Sequence, residues 1–309
     1  MTYIVVKKIK NNEYLYLVES KIINNKTIQK TLKYIGPKRD LTEDEVNCIK
    51  ESQERKDWIL LNFEEQLSYQ KHNELQKISD MQTKYLKKLD IATLEKEKEK
   101  FLSDFISNSN SIEGSTMTQN ETSNYLFNNI VPTNTTKKEI HMAENLFEAW
   151  KYVQKNKDRF PNEKDLCELH KLVNKNIESE ETLGKFKKYQ NYIDEIHTSA
   201  PVYVKERLKE LLNWIKKAYK EINDFEVAFQ SHIQFEIIHP FVDGNGRVGR
   251  LLLNWLLMYK NKEPFSIKNK NRGQYISALN NSRRGKIEAI CIFCYEEYLN
   301  QYKFYSFEN

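Results

Sequence analysis

One run of thirteen residues gathers the side chains that can do chemistry: Ile238-His239-Pro240-Phe241-Val242-Asp243-Gly244-Asn245-Gly246-Arg247-Val248-Gly249-Arg250. His239, pinned by the proline after it, can act as a general base near neutral pH. Asp243 offers one hard oxygen ligand, the way Mg²⁺ is held when the substrate's own phosphates complete its shell. Beyond the glycines, Val248, Leu251, Leu252, Trp255, Leu256 and Tyr259 recur at helical spacing and should face a core. Arg247, Arg250 and Asn254 fall on another face, which is expected to point away from that core. A glycine-rich turn feeding a helix N-terminus, with two guanidiniums beside it, makes an anion site suited to phosphates. Base, metal carboxylate and phosphate cradle together describe phosphoryl or nucleotidyl transfer.

Two other readings use the same residues. Gly244, Gly246 and Gly249 spell the dinucleotide fingerprint, which needs a strand before it and an acidic residue about 20 positions on. Phe225–Ile238 instead reads as an amphipathic helix, and no Asp or Glu occurs between Pro264 and Ile287. A capped helix without chemistry accounts for the glycines but not for His239, Asp243 and both arginines.

The stretch from His239 to Arg250 resembles the motif of the Fic family, His-Pro-Phe-x-(Asp/Glu)-Gly-Asn-Gly-Arg-x-x-Arg, at every fixed position. That resemblance implies an all-helical core and transfer of AMP from ATP to a Ser, Thr or Tyr hydroxyl of a target protein, the chain itself included. ATP and Mg²⁺ are the implied cofactors. Asp243 would hold the metal, while Gly244, Asn245, Gly246, Arg247 and Arg250 would grip the phosphates. The family also runs other reactions at this site: removal of AMP, or transfer of UMP, phosphocholine or phosphate.

A second stretch, Ser107–Thr116, reads by itself as a polar helix end stopped by Gly114. Beside the first motif it resembles the family's inhibitory pattern, (Ser/Thr)-x-x-x-Glu-(Gly/Asn), through Ser109, Glu113 and Gly114. Ser109 and Glu113 share a helix face at i, i+4, and a carboxylate on Arg250 would occupy the guanidinium meant for the γ-phosphate. The irregular segment Gly184–Tyr203 resembles the Fic flap, a hairpin that holds a target backbone by strand addition. There Asn191, Tyr192, Ile193 and Asp194 would lie against nucleotide and target. Lys187 stands where the family often has Arg, and Ala200-Pro201 replaces a Pro-Pro. Tyr275 and Ile276 correspond to a tyrosine pair that encloses adenine, so apolar stacking is the expectation there. Arg283 stands where some members carry an adenine-contacting Asn, and that role is not transferred.

The elements that must position these residues are mostly helices. The chain has 309 residues with only 8 glycines and 6 prolines, and its 30% charged content fits a globular protein. A net charge of +5 neither demands nor excludes nucleic acid. Residues 3–36 differ: Tyr3–Lys8, Glu13–Ile22 and Thr27–Ile35, split at Asn11-Asn12 and Asn24-Asn25, read as an antiparallel meander. Helical signals start at Leu41, with a capping box from Thr42 and Glu45 and apolar positions at Val46, Ile49, Trp58, Leu60, Leu61 and Phe63. Further helices are expected over Lys137–Lys155, Glu163–Ile177, Glu206–Tyr219, Asp224–Ile238, Gln274 onward and Gly285–Tyr302. His170 and His232 read as packed structural histidines.

The predicted class is therefore mainly α. A β-meander (1–38) and a helical region carrying the inhibitory motif (39–135) precede the catalytic domain with its hairpin flap (136–309). Four cysteines without a second C-x-x-C pair suggest core thiols. The lack of a signal-like or membrane-length apolar run suggests a cytoplasmic protein. Nucleotide and target protein are the expected partners, with no membrane. A homodimer is admitted, and so is nucleic acid at the N-terminal lysines; a DNA- or protein-binding regulator that senses nucleotide is the competing class.

Overall fold

The structure is a computed structural model that describes residues 2–23, 26–54, 63–193 and 196–302. Trp58, Leu60, Leu61, Asp194 and the Asn24-Asn25 turn lie outside the described residues. The N-terminal meander is present as β1 (Thr2–Ile9), β2 (Asn12–Ile23) and β3 (Lys26–Pro37), antiparallel in the order β1-β2-β3. Its inner face, with Ile4, Leu17, Leu32 and Ile35, packs on Cys48 and Ile49 of α1 (Glu43–Gln53) and on Ala200 and Tyr203. A three-stranded sheet buries too little to stand alone, and this second small core is what completes it.

The remaining described helices are α2 (Tyr69–Lys88), α3 (Ile91–Ile112), α4 (Gln119–Asn128), α5 (Lys137–Asn156), α6 (Glu163–Asn174), α7 (Val204–Ala218), α8 (Asp224–Ile238), α9 (Asn245–Tyr259), α10 (Arg272–Arg283) and α11 (Glu288–Tyr302). The capping box expected at Thr42 and Glu45 is formed, and α4, α5 and α6 start the same way from Thr118, Thr136 and Asn162. A single apolar core runs from α2 and α3 through α5 to α11. Cys291 and Cys294 lie in it as buried free thiols. Among the described residues, no helix is long and apolar enough to cross a membrane.

Two expectations change. The helix ending at His239 is not amphipathic: Phe225 to Ile238 are buried without a break, because α8 is enclosed by α7, α9, α10 and α11. Its polar residues, Glu226, Gln230, His232, Gln234 and Glu236, must therefore find internal partners. Arg247 and Arg250 do not point to solvent either. They are 3% and 2% exposed, since α3 and α6 cover that face of α9.

Candidate active site

His239 caps α8 in the left-handed region, at φ 49° and ψ 63°. Pro240 cannot continue the helix and a residue before proline is pushed out of the α region, so the turn happens here and stores strain. The loop that follows is held from three sides. Asn245 accepts from the Phe241 amide through Oδ1 and donates to the Phe241 carbonyl through Nδ2, both at 2.9 Å. Asn191 Nδ2 donates to the same carbonyl at 2.9 Å. The Lys187 amide donates to Pro240 O at 2.9 Å, and its buried ammonium is bonded to Asn191 Oδ1 and Thr198 Oγ1, both at 2.6 Å.

The His239 side chain is 18% exposed, with Nδ1 turned inward. Burial, with help from the charges of Lys187 and Arg283, pushes its pKa down to about 3, so the ring is neutral at physiological pH. Gly244 starts α9 at φ 72°, and a Cβ there would overlap Asn174 of α6. The first intrahelical bond is Val248 N to Gly244 O, so the amides of Asn245, Gly246 and Arg247 precede it and point out of the helix start. Asp243 projects with its side chain 60% exposed, 3.9 Å from Arg247. Arg247 is fixed by bonds to Val173 O (3.0 Å) and Asn174 Oδ1 (2.8 Å), and burial lowers its pKa.

Arg250 donates through Nε to Ser109 Oγ (2.8 Å) and through Nη2 to Ser109 O (2.9 Å) and Glu113 Oε1 (2.7 Å). Burial opposes its charge, but Glu113 and Tyr275 outweigh burial and hold the pKa above the ordinary value. Glu113 is the C-cap of α3, and Gly114 follows at φ 99°. A Cβ on Gly246 would overlap the Glu113 carboxylate, so this side chain lies across the start of α9.

Comparison with known proteins fits this arrangement. A model of the Fic/DOC family matches residues 160–257, from the start of α6 into α9. The chain carries a Fic domain. It is 32% identical over 124 residues to protein adenylyltransferase fic-1 of Caenorhabditis elegans, covering 40% of this chain and 24% of that protein. It is 30% identical over 204 residues to protein adenylyltransferase Fic of Nematostella vectensis, covering 64% and 48%. The chain thus spans a quarter to a half of the length of these relatives. The solved structure of Fic-1 from C. elegans superposes with TM-score 0.65 at 21% identity, covering 75% of this chain and 70% of that one, which supports the fold.

The Fic domain brings together most of the residues picked from sequence. His239 and Asp243 lie on the loop that runs into the start of α9, and Ser109 and Glu113 reach Arg250 from α3. The flap exists as a short hairpin, Tyr192–Ile193 paired with Ile196–His197. Tyr192 is 44% exposed and Ile193 half-buried, while Asn191 is spent on anchoring the hairpin. The Asn245 side chain pins the loop, which leaves its amide for an anion. Tyr275 is 1% exposed, stacked on His232 and bonded to it at 2.7 Å, so only Ile276 of that pair keeps an open edge. His232 thus partners Tyr275, a long-range contact with no local signal.

His170 is structural as expected, but its place is informative. It stacks on Phe241 at 4.0 Å, lies 3.1 Å from Asp243 O through Nε2, and accepts the Gly184 amide at Nδ1. Burial lowers its pKa to about 4, so one neutral ring ties the motif loop to the flap base. Asn174 was not singled out from sequence. It sits against Gly244 and holds Arg247, and only its distance in sequence concealed it.

Proposed function

We propose that this Fic domain is an ATP-dependent protein adenylyltransferase whose resting state is held by Glu113. The observation that carries the reading is a neutral, partly exposed His239 at the head of the loop that leads into the open amides of α9, with Glu113 held on Arg250 against Gly246. The relatives named protein adenylyltransferases support it. His239 Nε2 takes the proton of a target Ser, Thr or Tyr hydroxyl, whose oxygen attacks the α-phosphorus. The bond from that phosphorus to the bridging oxygen breaks, and pyrophosphate leaves with the electron pair. Amides of Asn245, Gly246 and Arg247 and the Arg247 charge receive the leaving phosphates. Arg250 binds the γ-phosphate once Glu113 withdraws. A single projecting carboxylate suits Mg²⁺ shared with phosphates, so Asp243 would hold that ion, which supplies charge neutralisation.

A second reading uses the same carboxylate. Glu113 lies over the phosphate cradle and is 31% exposed, so it could position a water to hydrolyse AMP from a modified protein. One experiment separates the two. Wild type, Glu113→Gly and Glu113→Gly/His239→Ala are incubated with α-labelled ATP and Mg²⁺, with and without lysate. Label on protein in the Glu113→Gly lane alone supports transfer and restraint together. No label in any lane removes ATP as the donor, and loss of AMP removal in Glu113→Gly would favour the second reading.

A further inference from the structure

Glu113, held on Arg250 against Gly246, sits in a short span of chain that is clamped at both ends. On one side, the Thr116 amide and hydroxyl donate to Glu139 Oε1 of α5 at 2.6 and 2.8 Å. The Thr116 and Thr136 amides hold this buried carboxyl down at about 2. On the other side, Ile112 is the last residue of α3, and its carbonyl is one that a helix end leaves without an intrahelical donor. Arg272, the first residue of α10, donates to that carbonyl through Nε at 2.9 Å. The bond also brings a positive charge to the negative end of the helix dipole. Between the clamps, Gly114 stands at φ 99°, and a Cβ there would meet nothing within 4 Å, so no neighbouring atoms hold the turn on that side.

Arg272 can bear on α3 because its own segment is tied down. The Lys268 amide donates to Glu297 Oε2 at 2.7 Å and Asn271 Nδ2 to Glu297 Oε1 at 2.5 Å, so the turn before α10 rests on α11. The same turn meets α3 twice more: the Asn269 amide donates to Asn108 Oδ1 at 2.8 Å, and Lys268 pairs with Asp104. Asp104, Asn108 and Ile112 recur at i, i+4 and i+8, so one face of the end of α3 lies along this turn. Ser109 and Glu113, which meet Arg250, are each one residue further on. We propose that Arg272 is a positioning residue for Glu113: by holding the Ile112 carbonyl it fixes the end of α3 with the Glu113 carboxylate on Arg250, and its release frees that carboxylate to leave. Arg272 is exposed whereas Glu139 is buried, so of the two clamps it is the one in reach of solvent.

The consequence for nucleotide rests on the reading of Glu113 as the restraint; the consequence for the helix end does not. The test uses the full-length chain carrying His239→Ala, and compares Arg272→Met and Arg272→Lys with Glu113 present and with Glu113→Gly. Titration of ATP and Mg²⁺ reads the site, and hydrogen exchange over residues 109–116 reads the helix end. With Glu113 present, losing a charged hydrogen bond at an exposed position should raise both ATP affinity and exchange about three- to tenfold in Arg272→Met. Arg272→Lys should restore part of each. With Glu113→Gly, Arg272→Met should leave ATP affinity unchanged within about twofold. Unchanged exchange in Arg272→Met overturns the inference whatever the affinity does. So does an affinity that Glu113→Gly raises and Arg272→Met does not. A gain that persists with Glu113→Gly also overturns it, as does a loss there, which would make Arg272 a nucleotide contact. If no variant binds ATP, the proposed function fails and exchange alone decides this one.

Discussion

Replacing Glu113 by Gln keeps the shape of the side chain and removes its charge, which isolates the contact with Arg250. A hydrogen bond to a charged group contributes about 1.5–3 kcal/mol net. Arg250 is 3% exposed but Glu113 is 31% exposed, so solvent screening places this pair in the lower part of that range, at about 2 kcal/mol. If nucleotide must displace the carboxylate from Arg250, the substitution raises ATP affinity about thirtyfold. Isothermal titration of ATP and Mg²⁺ into His239→Ala and Glu113→Gln/His239→Ala measures this without turnover. The nucleotide-free protein should also melt at a lower temperature, because Arg250 loses its carboxylate counter-charge while remaining buried and is left with uncharged partners such as Ser109. Saturating ATP should reverse that loss. Affinities equal within twofold would refute the competition, and so would the same gain from Glu113→Gln in an Arg250→Ala background, where no shared guanidinium remains.

Gly244→Ala should abolish nucleotide binding and lower the melting temperature, since φ 72° strains any side chain and the new Cβ overlaps Asn174; an unchanged affinity by titration would count against the cradle. His170, His232 and His239 are held neutral by burial at about 4, 3 and 3, below the ordinary 6.5. The unfolded chain therefore binds more protons below pH 6.5. The stability they contribute is whole above pH 6.5 and is lost as pH falls toward 3, by up to about 1.4 kcal/mol per pH unit for each. Melting curves from pH 7.5 to 4.5 should show the decline, with a shallower slope in His232→Gln, and a flat profile would contradict it. Lys187→Met removes the ammonium that joins Asn191 and Thr198, so protease cleavage within 187–198 should accelerate while the melting temperature changes little; equal cleavage rates would show that the flap is held elsewhere.

What the sequence disclosed follows the range over which each residue acts. The motif from His239 to Arg250 was legible because base, carboxylate, glycines and arginines sit on one turn and one helix, where spacing fixes geometry. Ser109 and Glu113 were legible as a pair for the same reason, although their meeting with Arg250 spans 141 and 137 residues and came from family resemblance. The meander and the capping boxes were written in local residue choice. Burial was misread. A helix enclosed on every side carries apolar and polar residues all round, so Phe225–Ile238 offered periodicity to neither pattern, and its polar positions looked like a solvent face. Asn174 stayed hidden because its partner Arg247 lies 73 residues along the chain.

The flap shows how those distant contacts serve the site. Its outgoing strand is tied to the motif loop by Lys187 and Asn191. Its returning strand is tied to α1: His197 faces Glu51 at 3.1 Å, Cys48 Sγ donates to Thr198 O, and the Ala200 amide donates to Ser52 Oγ at 3.0 Å. Lys33 of β3 adds a pair with Glu206, just beyond the hairpin, at 2.8 Å. A hairpin with only two residues in each strand cannot hold its own register, so both of its feet must be set from outside. The motif loop sets one foot, and α1 with its sheet sets the other. A peptide added to the flap edge would then meet His239 at a height fixed partly by residues 2–54, which gives the N-terminal sheet a structural reason to pack where it does.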